Sequence, residues 1–80
     1  MDQSNKEIVD YIIDIMRGEF DTEGYIDKYT NIQNVLDSMD IVNLLFKLEG
    51  KYKVKIPDEE LENQDMLIIV NMANYIRKRL

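Results

Sequence analysis

Apolar residues recur at spacings of three and four in two segments of this chain. Such spacing aligns them on one face of a helix, and that face is buried when helices pack together. The first stripe is Ile8, Ile12, Ile15 and Met16, and the second is Ile41, Leu44, Leu45 and Leu48. A third apolar segment near the end of the chain contains Leu67, Val70, Met72 and Ile76. We therefore predict an all-α fold, a small three- to four-helix bundle with a long first connection.

The expected helices run from about residue 5 to residue 17, from Ser38 to about Gly50, and from about residue 65 to residue 79. The long first connection, residues 19–36, shows no clean period. Structureless connections of this length are uncommon in compact domains. We therefore expect its apolar side chains to be partly buried, namely Tyr25, Ile26, Tyr29 and Ile32.

The segment between the second and last helices shows a strand-like pattern first and then a helical turn. Residues 51–56 alternate like a strand, but so helical a chain offers no partner strand. We expect an extended connector whose Tyr52, Val54 and Ile56 point inward. Pro57 should then open a short acidic helical turn over residues 58–62, at the N1 position that proline tolerates. Asp65 should begin the last helix, where an acid suits the helix dipole.

The composition narrows the classes of function. Eighty residues make one small domain, spanning residues 1–80. The chain has no histidine and no cysteine, which argues against metal-dependent catalysis, a Ser-His nucleophile and a disulfide framework. A net charge of −6 argues against binding nucleic acid.

The location of the chain is also predicted from its sequence. No segment approaches the roughly 18 consecutive apolar residues that span a bilayer, and the start of the chain lacks a signal-peptide pattern. We expect a cytoplasmic protein without a membrane span, and a monomer.

The run Asp37-Ser38-Met39-Asp40 lies where a polar stretch meets the second apolar stripe. Aspartate is a favoured N-cap residue at a helix start, and this role alone would explain the pair Asp37-Ser38. It would place Ser38 in the first helical turn, with its hydroxyl near solvent.

The longer run from Val35 to Leu44 resembles the prosthetic-group site of the acyl carrier protein family. The downstream run Ile56-Pro57-Asp58-Glu59-Glu60 strengthens the match. The resemblance implies an acyl-carrier-like fold and a carrier protein, not an enzyme. In such a protein Ser38 would carry a 4'-phosphopantetheine arm taken from coenzyme A, and the arm would hold an acyl group as a thioester.

The resemblance also implies partners, namely a phosphopantetheinyl transferase and acyl- or aminoacyl-loading ligases or synthases. The residues expected to face them are Asp37, Met39, Asp40, Val42 and Phe46. Asn43 and the lysines at positions 47, 51, 53 and 55 break the uniformly acidic pattern of fatty-acid carriers. The Val-Leu-Asp-Ser-Met run looks like that of D-alanyl carriers. The cargo, whether fatty acyl, aminoacyl or polyketide-type, stays open.

One alternative comes from a different class of function. The chain could be a small acidic helical interaction module without a prosthetic group. It would then use Met39, Val42 and Phe46 to bind a partner helix or groove.

Overall fold

The computed structural model describes residues 3–80, with side chains from residue 5 onward. Four helices follow one another: α1 (Gln3–Gly18), α2 (Ser38–Tyr52), α3 (Asp58–Leu61) and α4 (Ile69–Lys78). Two 3-10 turns lie between them, at Ile32–Asn34 and Gln64–Leu67. Within residues 3–80 there is no β-strand, and no helix is both long and apolar enough to cross a bilayer. The all-α prediction with a long first connection is confirmed.

The core forms where α1 packs against α2 and α4. The predicted stripes supply it, and many of their side chains are completely buried, including Ile12, Met16, Leu44, Leu48, Met72 and Ile76. Burying a side chain of this size contributes about 1.5–3 kcal/mol. Ile41 and Val70, at the edges of their stripes, are only half-buried.

The first connection is anchored by its isoleucines and not by its tyrosines. Ile26 and Ile32 are buried, as expected, but Tyr25 is 83% exposed and Tyr29 is 68% exposed, so that part of the prediction is wrong. A turn is the reason at Tyr29, whose backbone N–H donates to the Asp27 carboxylate at 2.9 Å. This turn leaves the tyrosine facing outward, where its hydroxyl needs no buried partner.

Helix α2 continues past its glycine. It ends at Tyr52, and Lys53 follows in the left-handed conformation, its N–H donating to the Glu49 carbonyl at 2.8 Å. The ring of Tyr52 meets that of Tyr11 edge-on, with centroids 5.8 Å apart. The helix continues two residues beyond the predicted end near Gly50, because packing of the last turn against α1 outweighs the local signal of the glycine.

The connector after α2 has the predicted extended form. Val54 and Ile56 are buried, and the Ile56 N–H donates to the Glu49 carboxylate at 2.9 Å. Tyr52 is half-buried but belongs to the helix and not to the connector. Pro57 lies one position earlier than predicted, at the N-cap of α3.

The predicted last helix is divided in two. Ile68 is extended (ψ 131°) and separates the second 3-10 turn from α4. The N–H groups of Ile69 and Val70 donate to carbonyls of the first connection, at Thr30 and Lys28 respectively. These contacts fix the start of α4 at Ile69. Asp65 lies in the 3-10 turn, so it is not the acid that begins α4.

Candidate functional site at the start of helix α2

Ser38 is the first residue of α2, and its side chain is exposed. The preceding residue, Asp37, has extended backbone (φ −80°, ψ 175°), and its carboxylate accepts the Asp40 N–H at 2.9 Å. The predicted cap is therefore confirmed. The backbone N–H groups of Ser38 and Met39 have no carbonyl within the helix to bind, as is usual in a first turn.

Buried residues on both sides hold this exposed segment in place. Leu36 is buried two residues before Ser38, and its N–H donates to the Ile32 carbonyl at 2.9 Å. Leu44 and Leu45 are buried one and a half turns or more after it. Ser38 is thus an exposed hydroxyl between two buried anchors.

The chemistry open to Ser38 follows from its neighbours. No histidine exists in the chain to act as a general base, and the Asp37 carboxylate is occupied by the cap. A serine without a base is a weak nucleophile. The positive end of the helix dipole and the free N–H groups do suit an anion on its oxygen. The start of α2 thus offers an exposed hydroxyl beside groups that favour a negative charge.

The residues predicted to face partners lie at the N-cap of α2 and along the helix. Met39 is 71% exposed, Val42 is 47% exposed and Phe46 is 66% exposed, which is uncommon for side chains of this size. Their spacing of three and four places them on one side of the helix. Asp37 is exposed, whereas Asp40 is half-buried, so Asp40 is less accessible than its sequence position suggests. We call Met39, Val42 and Phe46 the apolar ridge.

The lysines of α2 do not form a free basic surface. The Lys47 ammonium lies 2.6 Å from the carboxylate of Glu19, the residue that follows α1. This hydrogen bond, and the charge of Glu19, raise the pKa of Lys47. The Lys51 ammonium lies 5.0 Å from the Tyr11 ring centroid and 5.7 Å from that of Tyr52. Sequence reasoning missed these pairings because the partners lie far apart in the chain.

Two surface clefts lie elsewhere on the molecule. One, of about 660 Å³, lies between α1, α4 and the first connection, and its apolar floor includes Val9, Ile26 and Val70. The other, of about 380 Å³, lies beside the Tyr11 and Tyr52 rings. Residues 35–46 line neither of these two clefts.

Three curated relatives share part of this sequence. The chain is 45% identical over 42 residues to the acyl carrier proteins of Campylobacter curvus (strain 525.92) and Campylobacter concisus (strain 13826). It is 45% identical over 40 residues to that of Campylobacter fetus subsp. fetus (strain 82-40). The aligned segments cover 50–52% of this chain and 49–52% of the relatives, about half the length of each. No family model matches the chain, and no solved structure matches it significantly.

Proposed function

We propose that this chain, which is similar to acyl carrier proteins over about half of its length, is a carrier and not an enzyme. It would hold an acyl or aminoacyl group as a thioester on a 4'-phosphopantetheine arm attached to Ser38. One observation carries the proposal: Ser38 is an exposed hydroxyl at the capped start of α2, without a base of its own.

The residues around Ser38 fit such an arm. Attachment would create a phosphodiester, and its negative charge would lie beside the free N–H groups of Ser38 and Met39. The Asp37 cap leaves those two N–H groups available because it binds the N–H of Asp40 instead. When bound, the arm would supply the thiol that this cysteine-free chain lacks. The chain itself would position the attachment point and present a surface to partners.

The proposed partners are a phosphopantetheinyl transferase and the ligases or synthases that load or use the cargo. We assign their contacts to Asp37, Met39, Asp40, Val42 and Phe46, because these residues surround Ser38 or lie beside it on α2. The cytoplasm is the proposed location.

A modification assay tests the proposal. The purified chain is incubated with coenzyme A and a broad-specificity phosphopantetheinyl transferase, and its mass is then measured. We expect the addition of a single arm, about 340 Da by its chemical formula. The Ser38→Ala variant should gain no mass. The chain has one other serine, Ser4, so Ser4→Ala is the matched control and should be modified like the wild type.

A second candidate function would follow from the opposite result. The exposed apolar ridge on α2 also suits an interaction module without a prosthetic group. A wild-type chain left unmodified by several transferases would favour that alternative.

The class of cargo is tested separately, on the modified chain. A dedicated carrier is favoured by Asn43, where fatty-acid carriers commonly have an acid, and by the lysines at positions 47, 51, 53 and 55, which break their uniformly acidic pattern. Loading by an adenylating ligase, with D-alanine compared against a fatty acid, distinguishes aminoacyl from fatty acyl cargo. Chain elongation by a fatty-acid synthase, without loading by any ligase, would contradict the dedicated carrier.

A further inference from the structure

The smaller surface cleft, of about 380 Å³, is lined by two tyrosine rings that pack against each other. Tyr11 belongs to α1 and Tyr52 to the last turn of α2, and their ring planes are nearly perpendicular, at 89°. Both residues are half-buried, so the rings pack on the bundle while part of their surface stays open to the cleft. The face of an aromatic ring attracts cations. We call this place the tyrosine cleft.

One cation of the chain already lies at these rings. The Lys51 ammonium is 5.0 Å from the Tyr11 centroid and 5.7 Å from the Tyr52 centroid, and Lys51 lines the cleft. Lys51 is exposed, and among residues 5–80 its ammonium forms no ion pair with a carboxylate. A contact between an exposed ammonium and a ring is weak. An external cation can therefore take the place of Lys51 at the rings.

Three exposed carboxylates of α1 line the same cleft, at Glu7, Asp10 and Asp14. Their spacing of three and four residues places them on one side of the helix. Asp10 is paired with Lys6 at 3.0 Å, whereas neither Glu7 nor Asp14 forms an ion pair within the described part of the chain. Glu7 and Asp14 lie about 10 Å apart along the helix axis, with Tyr11 between them. The cleft thus has an unpaired negative charge on each side of an aromatic ring.

This arrangement matches a linear ligand with a positive charge near each end and an apolar chain between the charges. We propose that the tyrosine cleft binds a linear polyamine, whose terminal amines pair with Glu7 and Asp14 while its methylene groups cover the Tyr11 ring. The cleft has the size of a small-molecule site, since such sites range from about 300 to 1,000 Å³. Binding displaces the Lys51 ammonium from the rings. The site lies about 20 Å along α2 from Ser38 and goes beyond the proposed function.

Calorimetric titration of the full chain with spermidine tests the carboxylates. We expect one molecule to bind, and Glu7→Gln and Asp14→Asn each to weaken binding about threefold to fivefold, because each variant removes one charge pair. Glu62→Gln is the matched control: Glu62 is exposed and lies outside the cleft, so the same change in net charge should leave the Kd unchanged. No binding to the wild type, or equal weakening in all three variants, would overturn the inference.

Replacing Lys51 tests whether it occupies the site. Lys51→Met removes the competing ammonium and should tighten spermidine binding about threefold to fivefold. Lys55→Met makes the same change in net charge at an exposed residue outside the cleft, and should tighten binding less. Equal gains in the two variants would show attraction by net charge alone and would contradict a site at the rings.

The length of the ligand tests the bridge between the two carboxylates. The eight-carbon diamine spans about 11 Å between its nitrogens and the four-carbon diamine putrescine about 6 Å, although both carry two charges. The longer diamine should bind more tightly to the wild type, and Asp14→Asn should remove that advantage. Equal affinities of the two diamines for the wild type would contradict the bridge. Ser38→Ala should bind spermidine like the wild type, so this inference and the proposed function fail independently.

Discussion

At the end of α2 a lysine has the conformation that usually belongs to a glycine. Lys53 is left-handed, with φ 58° and ψ 38°, and Gly50 lies three residues earlier inside the helix. The left-handed conformation costs a residue with a Cβ atom about 1–2 kcal/mol. The cap at Lys53 is therefore imposed by its surroundings, namely by Tyr52 packing on α1 and by the buried connector.

Replacing this lysine should stabilise the protein. Lys53→Gly relieves the strain of the left-handed conformation. It also raises the conformational entropy of the unfolded chain, which offsets part of the gain in stability. We expect the free energy of unfolding to rise by about 0.5–1 kcal/mol, measured by urea denaturation. Lys55→Gly is the control: Lys55 is exposed in the extended connector without a positive φ, so this change should not stabilise. A gain at both positions would mean that the left-handed cap is not strained.

At the scale of elements, α2 is joined to α1 and to the residue that follows it by a ring contact and an ion pair. Lys47 pairs with Glu19, and Tyr52 contacts Tyr11 beneath Lys51. Burial raises the pKa of the Tyr52 hydroxyl, with smaller effects from Tyr11 and Glu7. The pKa of Lys47 is raised by its hydrogen bond to Glu19 and by the charge of that residue. Folding thus favours the protonated form of both groups.

The raised pKa values of Tyr52 and Lys47 predict how the free energy of unfolding depends on alkaline pH. A group with a raised pKa makes its full contribution to stability below its ordinary pKa, which is 10.0 for tyrosine and 10.5 for lysine. That contribution is lost as the pH rises through the pKa of the folded state. We expect the free energy of unfolding to fall above pH 10, and Tyr52→Phe and Lys47→Met each to weaken that fall. Tyr25→Phe, at an exposed side chain, is the control, and an equal change there would contradict the assignment.

At the scale of the whole molecule, stability depends on the core shared by α1, α2 and α4. Leu48→Ala removes a completely buried side chain and should lower the free energy of unfolding by about 2–5 kcal/mol. Small domains have only about 5–15 kcal/mol in total. Phe46→Ala, two residues away but 66% exposed, should change it by less than about 1 kcal/mol. Thermal and urea denaturation of both variants measure the difference, and similar losses would mean that Phe46 belongs to the core.

The sequence predicts this architecture where the signals are local. Helical spacing identified the stripes that are buried, and the capping chemistry of Asp37 identified the start of α2. Prediction from the sequence failed where residues far apart in the chain determine the local structure. The break at Ile68 depends on carbonyls of the first connection, and the exposure of Tyr29 depends on a turn that apolar spacing does not reveal. The surface of α2 was predicted by residue type, but the direction of its lysines depends on α1.

The two hydrogen bonds at the start of α4 have a consequence for folding cooperativity. The first free amides of this helix are satisfied by Thr30 and Lys28, about forty residues earlier, and the structure gives α4 no side-chain cap. Bringing such distant segments together costs conformational entropy, and the contacts within either segment alone do not offset that cost. We therefore expect the first turn of α4 and the docked first connection to form and unfold together, in one transition. The segment that leads to Ser38 is thereby coupled to the opposite end of the chain.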